Sequence, residues 1–278
     1  MHILLITQEP PLMLDAVATG NAVRTAQLGG ALSRAGHDIS HTWLDKIDGN
    51  NPRAFKSRDQ LHGIINRENP DAILVSYWEL LELLPFELQQ PVILDFVAPR
   101  PLEVLFEAPE KVNAELQRLQ SNLSKCDLVL TGNETQRDLI WFTLLQAGFD
   151  LRGAEPVLVV PLAAEPAGRP ASDPTLKGWT LVSGGVHWPW RKSEEYWQVI
   201  QDMKAHDPEN APRLVLFGGR DRWQDTADTG KKLPVRESGS NLPDTQELAP
   251  YSHFSRFLIE SAHIGLEVAQ PNIERRYS

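Results

Sequence analysis

The chain alternates between short, continuously apolar runs and longer segments whose apolar positions recur every three or four residues. The runs are HILLIT at 2–7, DISHTWL at 38–44, DAILVSY at 71–77, PVILDFV at 91–97, DLVLTG at 127–132 and PVLVVPL at 156–162. Between several of them lie AVRTAQLGGALSRAG, RDQLHGIINRENP, VNAELQRLQSNLSKC and ETQRDLIWFTLLQAGF. In the first of these segments Val23, Leu28, Ala31 and Leu32 fall roughly on one helical face, and Gly36 is a fitting C-terminal stop. Short strands that are apolar on both faces, separated by helices, predict an α/β fold with a doubly wound parallel sheet covered on both sides.

The rhythm breaks at EPAGRPASDPTLKG, Glu165–Gly178, whose Pro, Gly and small polar residues read as an interdomain linker. It then restarts. TLVSGG and RLVLFGG read as strands ending in glycines, SEEYWQVIQDMKAHDP and SHFSRFLIESA as helices, and HIGLEVA as a further strand. The polar stretch from Arg220 to Asp244 carries little pattern. The expectation is two Rossmann-like domains, residues 1–165 and 179–278, joined by a linker at 166–178. After HIGLEVA the chain ends at QPNIERRYS, so the second domain is short for its kind and is expected to be incomplete, as in a truncated or interrupted protein.

Composition narrows the class. The 278 residues are 41% hydrophobic and 23% charged, ordinary values for a soluble globular protein. The net charge of -10 argues against a nucleic-acid partner, since neutralising phosphates needs a basic surface, but leaves room for a local basic pocket for one small anion. The single Cys126 has no partner for an internal disulfide. MHILLITQEPP lacks the basic region and cleavage site of a secretory signal, and no apolar stretch is long enough to cross a bilayer. A cytoplasmic protein is expected.

The densest candidate chemistry is LVSGGVHWPWRKSEEYW, Leu181–Trp197, in the gap between a strand and a helix. Gly184 and Gly185 let the backbone turn tightly and approach a ligand closely. The helix beginning near Ser193 offers free N–H groups and a positive dipole end, which suit an anion. Arg191 and Lys192 add charge, and Trp188 and Trp190 offer a flat wall for a sugar or base. The alternative is that the tryptophans pack a domain interface while the basic pair is solvated. His187 has no second His or Cys at ligand spacing, so no metal site is expected.

Four stretches resemble the GT-B glycosyltransferases, specifically the family 4 type that builds bacterial surface polysaccharides and lipopolysaccharide. They are TGNAVRTAQLGGALSRAGHDI, VILDFVAPRPLEVL, CDLVLTGNETQRDLIWFTLLQAG and LVSGGVHWPWRKSEEYWQVI. The resemblance implies a nucleotide-sugar donor bound mainly by the second domain and a glycan or lipid-linked acceptor bound mainly by the first. Transfer would retain the anomeric configuration, with no tightly bound cofactor or metal, and peripheral contact with the inner membrane stays open. It also implies that Arg191 and Lys192 hold the donor diphosphate, although here they are adjacent and follow two tryptophans where the family separates them.

By the same resemblance Gly20, Asn21 and Arg24 form a loop near the donor phosphates and acceptor; a helix cap with a solvated Arg is the plainer reading of that group. Gly218 and Gly219 end the second strand of the second domain, where they could border the nucleotide. Asp95 ends a buried strand, where it could orient an acceptor hydroxyl or take its proton, or else form an Asx turn before Pro99. Glu103 could assist it, or lie solvated. Asn133, ahead of Glu134 and Gln136, reads most simply as a helix cap. Tyr77 and Trp78 either line an acceptor groove or pack. Two other classes remain: a catalytically impaired, nucleotide-binding transferase relative or fragment without turnover, and a nucleotide-sugar epimerase or dehydrogenase. The loop QEPPLMLDAVATGN lacks the GxGxxG that the last would need.

Overall fold

The computed structural model describes residues 1–13, 15–45, 51–85, 87–153, 155–162, 179–186, 194–219, 244–246, 249–262 and 264–265. The chain groups into two compact units, one built on residues Gly20–Ala164 with Met1–Leu12, the other on Glu165–Pro271 with Met13–Thr19. The stretch 166–178 expected as a linker lies outside the described residues.

The first unit runs β1 (His2–Thr7), α1 (Gly20–Arg34), β2 (Asp38–Leu44), β3 (Ala54–Phe55), α2 (Arg58–Glu68), β4 (Ala72–Ser76), a 3-10 segment (Trp78–Leu83), β5 (Val92–Phe96), α3 (Arg100–Glu107), α4 (Val112–Leu123), β6 (Leu128–Thr131), α5 (Glu134–Gln146) and β7 (Val157–Val159). Its seven strands are ordered β3-β2-β1-β4-β5-β6-β7, and every neighbouring pair is parallel. The chain fills one side of β1 first and then returns through β4 to fill the other, so the order reverses between β1 and β4.

Alternation along the strands explains the layers, because successive side chains point to opposite faces. Leu4 and Ile6 of β1 join Ile64, Leu119, Ile140 and Leu144 on the face covered by α2, α4 and α5. Ile3 and Leu5 face the other way, with Leu74, Leu130 and Leu32 of α1. Helix ends follow local chemistry: Ser57 caps α2 by accepting from Gln60 N at 3.3 Å, and Asn133 caps α5 by accepting from Gln136 N at 2.8 Å. The expected strands and helices of this half are present, β1 and β2 over the expected residues, α1 beginning two residues earlier and the rest with shorter ends, and β3 and α3 are additions that the apolar pattern did not announce.

The second unit contains β8 (Thr180–Val186), α6 (Glu194–His206), β9 (Arg213–Gly219), β10 (Asp244–Gln246), α7 (Tyr251–Glu260) and β11 (Ile264–Gly265). Its smaller parallel sheet has the order β10-β9-β8-β11. Leu181, Leu214 and Leu216 pack with Ile200 of α6 on one face, and Val182, Val215 and Phe217 with α7 on the other. The Phe217 ring meets Phe254 and Phe257 edge-on, at centroid distances of 5.2 and 4.9 Å. The segment Met13–Thr19 groups here as well: Tyr251 N donates to Ala16 O at 2.9 Å. The fold is therefore α/β with two Rossmann-like parallel sheets, the second showing four strands among the described residues.

Two glycines differ from their expected use. Gly184 and Gly185 do not break the strand, since β8 stays paired through Val186 opposite Gly219. A Cβ on Gly184 would lie 2.6 Å from Phe254 Cζ, so the missing side chain lets α7 lie close on the sheet.

Candidate functional site

In a parallel sheet the loops and helix N-termini collect at the carboxyl ends of the strands, and ligands bind where the strand order reverses. At that point of the first unit, side chains from α1, β4 and β5 converge. Ser76, the last residue of β4, and Asp95, the last but one of β5, are register partners. Asn21, Arg24 and Thr25 reach them from the first turns of α1.

Arg24 and Asp95 form a sealed ion pair. Arg24 Nε donates to Asp95 Oδ1 at 2.9 Å and to Oδ2 at 2.8 Å, and Nη2 donates to Oδ1 at 2.8 Å. The side chains are 5% and 0% exposed. Arg24 Nη1 also donates to Pro161 O at 3.4 Å, which ties α1 to the chain beyond β7. Burial pushes the Asp95 carboxyl above the ordinary carboxylate range, and the hydrogen bonds and charge of Arg24 act the opposite way. Asp95 thus forms neither an Asx turn nor a solvent-facing base. Arg24, expected near a phosphate, spends its guanidinium on Asp95.

Beside the pair runs a chain of neutral groups. Thr25 Oγ1 donates to Ser76 Oγ at 3.1 Å, and Ser76 Oγ donates to Asn21 Oδ1 at 2.6 Å. All three residues are buried. The chain leaves β4 through Tyr77 at φ +96°, a conformation that costs a bulky residue about 1–3 kcal/mol and that only surrounding structure holds in place. Tyr77 N donates to Asp95 O at 3.5 Å, and Trp78 is packed in the core.

A cavity of about 120 Å³ opens next to this cluster, lined by Thr7, Asn21, Thr25, His41 and the loop from Glu9 to Leu12. His41 Nε2 lies 2.7 Å from Thr7 Oγ1, which donates to Glu9 O at 2.5 Å. Burial, helped by the charge of Arg53, lowers the His41 pKa to about 4, so the ring is neutral at ordinary pH. On the β6 side, buried Gln136 accepts from Gly132 N at 2.7 Å and donates to Val97 O at 3.5 Å, holding the ends of β5 and β6 together.

The remaining candidates lie apart from this group or outside the described residues. Glu103 is in the first turn of α3, where its carboxylate accepts from Arg100 Nη1 at 3.1 Å. Gly20 starts α1 with open space around it. Gly218 and Gly219 end β9, paired with Gly185 and Val186. Trp188, Trp190, Arg191 and Lys192 lie outside the described residues, as do His187 and Ser193. Among the described residues no three His, Cys, Asp or Glu side chains are placed to share a metal ion, and no helix is long and apolar enough to cross a membrane. Sequence reasoning missed Thr25 and Ser76. A hydroxyl at the end of a buried strand carries no periodic signal, and only strand order brings Ser76 to Asn21.

No protein-family model matches the chain, and no curated protein matches it. Solved structures do share its fold. An α-glucosyltransferase in complex with UDP-glucose and DNA containing an abasic site superposes with a TM-score of 0.61 at 12% identity, over 98% of this chain and 73% of that one. A trehalose-6-phosphate synthase gives 0.57 at 15% identity, over 96% and 78%. The sucrose-phosphate synthase from Thermosynechococcus elongatus gives 0.53 at 15%, over 80% and 63%. These are GT-B glycosyltransferases, and the fold of this chain is the GT-B fold. The neighbours also correct the exclusion of nucleic acid drawn from the net charge. Several of the α-glucosyltransferase structures are complexes with DNA, so this fold is compatible with a nucleic-acid partner and an acidic total charge does not decide the matter.

Proposed function

We propose that this protein is a glycosyltransferase of the family 4 type, transferring a hexosyl group from a nucleotide-sugar to a glycan or lipid-linked acceptor in surface polysaccharide or lipopolysaccharide biosynthesis, on the cytoplasmic side of the membrane. The observation that carries the reading is the pre-formed cluster at the point where strand order reverses: Asn21, Arg24, Ser76 and Asp95, on a fold whose solved neighbours include proteins bound to UDP-glucose and to UDP-2-fluoro glucose. The sheet ends of the second unit, Gly184, Gly185, Gly218 and Gly219, with Trp188, Trp190, Arg191 and Lys192, are the proposed donor side.

The chemistry sets what these groups must do. Cleaving the bond between the anomeric carbon and the diphosphate leaves negative charge on the nucleoside diphosphate. Fixed cations and N–H donors stabilise that charge, each good donor by about 3 kcal/mol. Arg191 and Lys192 are assigned this role, and retention at the anomeric carbon follows the family resemblance. In this scheme Asp95 is a positioning residue that fixes Arg24 and hence the start of α1, because its carboxylate is fully buried against that guanidinium. Glu103 is assigned to the same edge through Arg100.

That burial also favours a second reading, a transferase relative that binds nucleotide without turnover, since Asp95 presents no proton acceptor to a substrate. Calorimetric titration against nucleoside diphosphates and nucleotide-sugars, followed by assay of nucleoside diphosphate release, tests both. Binding with release supports the transferase, and binding without release supports the second reading. Absence of binding to the whole panel overturns both. Arg191→Ala with Lys192→Ala is expected to weaken nucleoside diphosphate binding by about 2–4 kcal/mol, the scale of two charge-assisted contacts.

A further inference from the structure

Asn21 ends a one-way relay of hydrogen bonds. Ser76 Oγ has a single proton. It accepts from Thr25 Oγ1 at 3.1 Å and gives that proton to Asn21 Oδ1 at 2.6 Å. The amide oxygen of Asn21 is therefore the end that faces Ser76, and the amide Nδ2 is turned away from it. Asn21 lines the cavity beside this cluster, and only its Oδ1, not Nδ2, is engaged by another side chain among the described residues. An amide N–H on a cavity wall is hydrated until a ligand oxygen takes the place of that water. Ser76, 0% exposed, does not line the cavity and reaches a ligand there only through Asn21. The neighbouring Arg24 does not compete for the role, because Asp95 and Pro161 O take its guanidinium.

We propose that Ser76 and Thr25 are positioning residues that lock the Asn21 amide with its NH2 turned to the ligand, so that the ligand group received at this edge is an oxygen acceptor. The inference rests on the transferase reading of the site and adds a specificity device to it. Two sources offer that chemistry in a nucleotide-sugar, a phosphate oxygen and a sugar hydroxyl. A group that only donates, such as an ammonium, finds no partner in this amide. The strained backbone at Tyr77, directly after Ser76, supports the assignment, since it holds the relay's central hydroxyl at the strand end.

Calorimetric titration of the full chain with UDP and with UDP-glucose provides the test. Ser76→Ala frees the amide to flip and weakens binding about tenfold, while Asn21→Ala weakens it at least as much. In the Asn21→Ala background Ser76→Ala adds less than about twofold, because its effect passes through the amide. A purely structural serine would give losses that multiply. Asn21→Asp is the second variant, in which the carboxylate still accepts from Ser76, so the melting temperature holds while binding falls. Loss with both ligands assigns the acceptor to the phosphate, and loss with UDP-glucose alone assigns it to a sugar hydroxyl. Parent-like binding of both ligands by Ser76→Ala, or multiplying losses in the double variant, overturns the relay alone. Failure of the parent to bind either nucleotide overturns the functional reading and the relay with it.

Discussion

Two arginines in the first unit meet carboxylates in opposite settings. Arg24 and Asp95 lie at the sheet edge with side chains 5% and 0% exposed, held by three hydrogen bonds between two groups. Arg118 of α4 is 38% exposed and shares Glu82, Glu79 and Glu115, with its guanidinium 5.2 Å from the Trp78 ring. Water solvates the second cluster whether or not it forms. The first exists only because each partner replaces the other's hydration. Burial dominates at Asp95 and pushes its carboxyl up, whereas the hydrogen bond from Arg118 dominates at Glu82 and pulls its carboxyl down. The lesson is that an ion pair of similar geometry is a brace in one place and an ornament of the surface in another, and desolvation decides which.

The comparison breaks most visibly on removing one partner. Arg24→Ala leaves Asp95 without partner or water and is expected to cost about 3–5 kcal/mol of stability, read from urea unfolding midpoints. Replacing both, Arg24→Met with Asp95→Leu, is expected to recover most of that loss while abolishing the alignment of α1 with β5. A cost below about 1 kcal/mol for Arg24→Ala would remove the distinction between the two clusters. Arg118→Ala is expected to cost about 0–1 kcal/mol by the same measurement, since its charges return to water.

The finest test is the pH dependence, where the two carboxylates carry opposite signs. Asp95 has a folded-state pKa above its unfolded value. The native state therefore holds the proton to higher pH, and this group's contribution is full below the unfolded value and is lost as pH rises through the folded one. Glu82 has a folded-state pKa below its unfolded value, so its contribution is present above the unfolded value and is lost as pH falls through the folded one. Asp95→Asn should make stability decline less with rising pH just above the ordinary carboxylate range. Glu82→Gln should make it decline less with acidification. Identical slopes in the two variants would contradict the assignment of opposite causes.

The chain's own pattern reaches a definite depth. Continuous apolar runs at 2–7, 71–77 and 91–97 determined parallel strands buried on both faces, and the cap at Asn133 was legible because its partner Gln136 is three residues away. Such features depend on spacings within a few residues, where helix and strand periods act. Asp95 and Asn21 were recognisable as candidates for the same reason, each following or ending a strand. Their chemistry was not. Arg24 and Asp95 are 71 positions apart, and Ser76 and Asn21 are 55 apart, so strand order alone brings them together. Gly184 is a similar case: its need for a bare backbone comes from Phe254, which the sequence places far downstream and the packing of α7 sets against it. The sequence by itself determined which elements form, because local propensity and amphipathic period are properties of neighbours. Only the tertiary structure decided which arginine is sealed and which amide is oriented, because burial and the direction of a hydrogen bond depend on groups that only folding brings together.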